Sequence, residues 1–251
     1  MDQSHLSEIN QFAWEDSAYQ AWVKKYGRPK TAAAQIRADP HFTARRILPY
    51  LGDPAGARIA NPLGSHGRVA TALSLLGADV SVFDISNSNA KYGLQLARAA
   101  GVSLDYVVGD FIESAESHTK QYDATIMELG VLHYFVSLEA FVAALKRITK
   151  PSGLIILVDF HPLLKKALSV ANDKVHLEGN YFSNVAEVAD TPYAQILRRR
   201  VPTCLIRRWN MSEIINAFLD SELTLSHFAE HPADDCAQLP GTFTLVAQRT
   251  A

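Results

Sequence analysis

The sequence predicts an α/β fold: a doubly wound, mostly parallel sheet with helices on both faces. From Arg58 onward, short apolar runs alternate with helical runs of roughly 10 to 15 residues, a rhythm that implies right-handed βαβ units. After an amphipathic helix at 212–220, the runs LTLSHFAEH and TFTLVAQ are separated by a loop with Pro232, Pro240 and Gly241, which predicts a terminal antiparallel hairpin at the sheet edge.

Strands are expected at 58–61, 79–84, 104–108, 122–128 and 154–160, and helices at 67–76, 87–100 and 138–149. Lys150, Pro151, Ser152 and Gly153 read as the break between the last of these helices and the fifth strand. Residues 1–51 read as a lid of three helices. The first carries an aromatic stripe that includes Trp14, Tyr19, Trp22 and Tyr26, and the third begins at the Asp39-Pro40 cap and runs through Leu51. The sheet domain spans 52–251, and a poorly patterned stretch at about 162–207 reads as an inserted cap.

The composition narrows the partner. Of 251 residues, 48% are hydrophobic, enough for a substantial core, and 24 Lys and Arg against 26 Asp and Glu give a net charge of −2. That balance argues against a general nucleic-acid or anionic-membrane binder and for a small-molecule partner, with oligomeric state left open. Cys204 and Cys236 have no metal-binding spacing, no metal is expected, and two cysteines suggest a reducing compartment. The first residues lack the basic start and apolar core of a signal peptide, and no apolar run approaches membrane-spanning length. A cytoplasmic protein is expected.

The most informative stretch runs from Arg58 to Ser86. A strand, a loop with Gly64 and Gly67, a helix and a second strand closing on Asp84 describe a nucleotide site. Glycines let backbone N–H groups approach a ligand, and a carboxylate about 20 residues further on can hold a ribose. Together with GDF at 109–111, ELGVLHYF at 128–135 and KPSG at 150–153, this series resembles the class I S-adenosylmethionine-dependent methyltransferases over about 55–251. The resemblance implies a seven-stranded sheet whose last strand is inserted antiparallel, with S-adenosylmethionine as cofactor. It assigns Asp84 to the ribose hydroxyls, Ile85 and Phe111 to the faces of the adenine and Asp110 to its amino group. Asn61, Gly64, Ser65 and Gly67, with Glu128 and Leu129, line the methionine portion, and Tyr19 and Trp22 of the lid wall the site. The family usually shows an acid followed by three alternating glycines, whereas this chain has Asn61 and fewer glycines.

The sulfonium of S-adenosylmethionine makes its attached carbons electrophilic, so in-line placement of the nucleophile supplies much of the catalysis. His133 and Tyr134 after the fourth strand, and His161 after the fifth, are the candidates for a base or orienting role, each with a purely structural alternative. The leading reading is a methyltransferase acting on a small metabolite. One alternative is a cyclase of the same fold, of the azetidine-2-carboxylate synthase type, in which the ligand's own amino group attacks and methylthioadenosine leaves. Another is a non-catalytic S-adenosylmethionine-binding protein. A dinucleotide oxidoreductase fits less well, because the glycine fingerprint is incomplete and no Tyr-x-x-x-Lys pair follows.

Overall fold

The computed structural model describes residues 2–171 and 174–250. Five helices come first: α1 (Gln3–Glu15), α2 (Ala18–Tyr26), α3 (Pro29–Ala38), α4 (Pro40–Thr43) and α5 (Leu48–Leu51). The expected third helix is therefore two short ones. Pro49 has no N–H to give a carbonyl one turn earlier, so a helix from Pro40 cannot continue through it; the chain turns and restarts at Leu48.

The alternating part follows as β1 (Arg58–Pro62), α6 (Arg68–Leu75), β2 (Asp79–Asp84), α7 (Asn87–Ala100), β3 (Asp105–Val108), α8 (Phe111–Ser114), β4 (Tyr122–Glu128), α9 (Leu138–Ile148) and β5 (Thr149–Phe160). The cap contains α10 (Pro162–Lys166), the hairpin β6 (Leu168–Ala171) and β7 (Lys174–Leu177), then β8 (Glu187–Asp190), α11 (Pro192–Leu197) and β9 (Thr203–Ile206). The chain closes with α12 (Met211–Leu219), β10 (Leu223–Pro232) and β11 (Pro240–Arg249).

The main sheet has seven strands in the order β3-β2-β1-β4-β5-β11-β10, and β11 runs antiparallel between β5 and β10. The expected sheet, its terminal hairpin and its helix-covered faces are all present. Period-two alternation sends neighbouring strand residues to opposite faces. Ile59 and Val82 join Ile36, Leu73, Tyr92 and Leu96 of the helices on one side, whereas Ala60 and Phe83 join Phe111, Phe141 and Phe218 on the other. Lid residues Ala18, Trp22, Ala32, Ala33 and Ile36 belong to the first of these cores.

KPSG lies inside β5 rather than before it. Tyr122 pairs with Thr149 and Ala124 with Leu154, so residues 150–153 bulge from the ladder. A Cβ on Gly153 would stand 2.7 Å from Thr149 Cγ2 and 2.9 Å from Asp123 O, which is why glycine ends the bulge. Among the described residues, no helix is long and apolar enough to cross a membrane.

Candidate active site

Parallel strands leave a crevice outside their carboxyl ends where the strand order reverses, here between β1 and β4. A cavity of about 530 Å³ fills it. Gln3, Ser7, Asn10 and Trp14, successive positions on one face of α1, line this cavity and roof it. The roof is held by paired amide hydrogen bonds. Gln3 donates to Tyr134 O and accepts from Val136 N, and Asn10 donates to Leu205 O and accepts from Leu205 N.

On the β2 and β3 side, the carboxylates are already engaged. Asp84, 9% exposed, accepts from Ser86 N and Asn89 Nδ2 on Oδ1 and from Ser65 N on Oδ2, each at 3.0 Å. Burial raises its pKa, against those three hydrogen bonds. A carboxylate has about four acceptor positions, so one remains, on Oδ2, for a ligand hydroxyl. Asp110 caps α8 through Ile112 N and Glu113 N with Oδ1 and accepts the Ser7 hydroxyl on Oδ2. Ile85 and Phe111 line the same cavity.

The loop after β1 keeps the shape that alternating glycines normally serve. Leu63, Ser65 and Gly67 all have left-handed φ, at 52°, 49° and 68°. The strain of holding non-glycine residues there is about 1–2 kcal/mol each. Gly64 is needed for a different reason: a Cβ would stand 2.4 Å from Asn61 Oδ1 and 2.8 Å from Val82 Cγ1. Asn61 donates Nδ2 to Ile126 O, which braces the loop on β4.

His66 is a site residue that sequence reasoning missed. Its ring packs against both Trp22 and Tyr26, at 4.3 and 5.0 Å, and those two rings also stack on each other at 5.9 Å. Both its nitrogens are shielded from solvent and lack a protein partner, as do Ser65 Oγ and Nη1 of Arg68. Burial, reinforced by Arg68 and Lys25, lowers the His66 pKa to about 3, so the ring is neutral. Asn89 was missed too. It links Asp84 to α2 by accepting from Trp22 Nε1 at 2.8 Å, and to α11 by accepting from the Tyr193 hydroxyl at 3.2 Å.

On the β4 side, Glu128 pairs with Arg46 at 3.0 Å, and Leu129 and Gly130 turn with positive φ. Asp159 fixes this turn by accepting from the N–H groups of Gly130, Val131, Leu132 and Phe160. Four donors saturate its carboxylate, so Asp159 orients the loop.

Not every expected site residue reaches the cavity. Tyr19 lies outside it, its hydroxyl donating to Gln95 and its ring edge-on to Tyr92. Gly67 is packed behind the loop, at the start of α6. His161 caps α10: Nδ1 accepts from Leu163 N, which leaves the proton on Nε2 to face Glu230 at 2.8 Å. It lines neither the main cavity nor its smaller neighbour. His133 faces a neighbouring cavity of about 280 Å³ that shares Trp14, Leu129, Gly130, Tyr134, Phe160 and Pro192 with the first. Burial holds its pKa down to about 4, with Asp159 opposing and Arg208 and Lys165 reinforcing. Tyr134 lines both cavities, its hydroxyl pushed far above its usual pKa by burial. Trp22 lines the main cavity.

The crevice suits an adenosyl amino acid. It offers a nearly buried carboxylate at the end of β2, an aromatic wall, and buried polar atoms on Ser65, His66 and Arg68 that need an outside partner. The strand order is that of solved S-adenosylmethionine-dependent methyltransferases, whose fold the chain shares. Residues 63–157 match the family model described as a methyltransferase domain. A ubiquinone biosynthesis O-methyltransferase of Xanthomonas oryzae pv. oryzae is 28% identical over 156 residues, 61% of this chain and 60% of that protein. The chain thus spans about 60% of the length of the curated relatives it matches. Among solved structures, an S-adenosylmethionine-dependent methyltransferase reported for Listeria monocytogenes superposes with a TM-score of 0.67 at 15% identity, over 86% of this chain and 100% of that one. Magnesium protoporphyrin IX methyltransferase of Synechocystis PCC 6803, with bound S-adenosylhomocysteine, gives 0.61 at 15% identity, over 97% of this chain and 99% of that one.

Proposed function

We propose that the chain is a methyltransferase that uses S-adenosylmethionine to methylate an oxygen of a small molecule. The observation that carries this reading is one crevice in which Gly64, Asp84, Asp110 and Glu128, at the carboxyl ends of four adjacent strands, meet under a helical roof. The cofactor supplies a methyl carbon already activated by a sulfonium, with a neutral thioether as leaving group.

The protein's task is then placement. Asp84 holds a ribose hydroxyl on its free Oδ2 position, Asp110 accepts the adenine amino group, and Ile85 and Phe111 pack on the ring. The lid helices limit water. The smaller cavity, walled by Trp14, Tyr134, Phe160 and Trp209, takes the acceptor, with residues 162–207 as its cap. His133 faces this cavity with its ring held neutral by burial, so a ring nitrogen can accept a hydrogen bond from the acceptor's hydroxyl and orient it. The O-methyltransferase names of the curated relatives favour an oxygen nucleophile. A cytoplasmic location belongs to the same reading. The cyclase and the non-catalytic binder have no finding in their favour, since the relatives and structures named above are all methyltransferases.

Incubation with S-adenosylmethionine and a panel of phenols, catechols and hydroxy acids tests this. Release of S-adenosylhomocysteine with a methylated acceptor is expected. Methylthioadenosine as the product, or intact S-adenosylmethionine across the whole panel, overturns it.

A further inference from the structure

Three cations line the main cavity without a carboxylate partner among the described residues: Lys25 of α2, Arg45 between α4 and α5, and Arg68 at the start of α6. They come from three separate segments. The Arg68 guanidinium lies 4.4 Å from the centre of the Tyr26 ring, and Lys25 Nζ lies 5.1 Å from the same ring. Arg45 stacks on Phe42 at 4.0 Å and gives one hydrogen bond, to Phe42 O. A fourth cation, Arg46, already pairs with Glu128 at 3.0 Å.

An aromatic face attracts a cation but satisfies none of its outward N–H donors. Nη1 of Arg68 is shut off from solvent with no acceptor, and so are both nitrogens of the neighbouring His66. Buried polar atoms of this kind carry a desolvation cost unless a hydrogen-bond partner arrives. The local field agrees: Arg68 and Lys25 both help to suppress protonation of His66. An arginine fork matches a carboxylate's two oxygens, and a lysine and a second arginine add charge.

We propose that Arg68, Lys25 and Arg45 form a carboxylate-binding site in the crevice, with the unpartnered ring nitrogens of His66 at its edge. Two carboxylates could occupy it, that of the cofactor's amino-acid end or that of an acceptor. The site itself stands on the unpaired donors, whereas the choice between the two sources rests on the function proposed above.

Calorimetry on the full chain with three probes tests the site. S-adenosylhomocysteine carries the amino-acid carboxylate and methylthioadenosine lacks it, while benzoate, added to protein saturated with S-adenosylhomocysteine, stands for an acceptor. If the cofactor supplies the carboxylate, R68M and K25M each lose about 10- to 100-fold affinity for S-adenosylhomocysteine and hold methylthioadenosine within about twofold. If an acceptor supplies it, S-adenosylhomocysteine binds both variants as it binds wild type, and the benzoate signal disappears. Wild type that binds benzoate but neither adenosine compound, with the signal lost in R68M, keeps the site and removes the methyltransferase reading. The proposal is overturned if both variants bind every probe like wild type, if they lose the two adenosine compounds equally, or if wild type binds none. Thermal unfolding confirms that each variant is folded. R68K, which keeps the charge without the fork, recovers part of the lost affinity.

Discussion

Asp84 and Asp110 accept three hydrogen bonds each from the protein itself, whereas Arg68 Nη1 and both ring nitrogens of His66, beside the same crevice, are buried without a polar partner among the described residues. The two sides are therefore built on different principles. Carboxylates tied to backbone N–H groups and to Asn89 keep their positions whether or not a ligand is present, so the β2 and β3 side is preorganised. The cationic side becomes satisfied when a ligand brings acceptors. Recognition on the first side is set by geometry fixed at folding, and on the second by charge completed at binding.

Breaking the preorganised side has the largest effect. D84A strands three buried donors and is expected to cost about 3 kcal/mol, a fall in Tm of roughly 6–12 °C, and about 100-fold in S-adenosylhomocysteine affinity. Unchanged affinity would show that Asp84 serves only the fold. On the cationic side, pH separates the two designs. The folded-state pKa of His66 is about 3 against an ordinary 6.5, so between these values the unfolded chain binds more protons and stability falls as pH drops. H66F, which cannot titrate, removes about 3 kcal/mol of the stability difference between pH 7 and pH 4, measured by urea unfolding of both proteins at both pH values. An unaltered difference would contradict the buried neutral ring.

Smaller effects sharpen the comparison. S65G relieves a left-handed φ of 49°, and after the added flexibility of the unfolded chain it should gain about 0.5 kcal/mol in thermal unfolding. The same variant tests the orphaned Ser65 hydroxyl: weaker S-adenosylhomocysteine binding with higher Tm shows that the strain is kept for the ligand. The smallest change is expected from S7A, which frees Oδ2 of Asp110 and raises affinity for adenosine compounds by about threefold. Equal affinity would mean that the hydroxyl and the ligand share the carboxylate.

Much of the fold was legible in the sequence. The strand and helix rhythm, Asp84 at the end of β2 and the closing hairpin are local patterns, and each is where the pattern places it. What escaped is non-local. His66 matters because α2 brings the rings of Trp22 and Tyr26 against it, and nothing near residue 66 announces that. Asn89 looks like an ordinary first-turn residue of α7 until Asp84, Trp22 and Tyr193 converge on it. Other signals were present with more than one meaning. His161 before Pro162 reads as a helix cap as readily as a base, and it is a cap. Lys150 to Gly153 mark a bulge inside a strand with the same residues that would end a helix.

The amide pairs that hold α1 also give the molecule a built-in reporter. Val136 N and Leu205 N donate to Gln3 and Asn10, side chains of the roof, so each amide is covered only while the roof is closed. One amide lies in the loop beyond β4 and the other in β9, so equal hydrogen-exchange rates at the two would show α1 opening as a unit, and unequal rates would show its two ends opening separately.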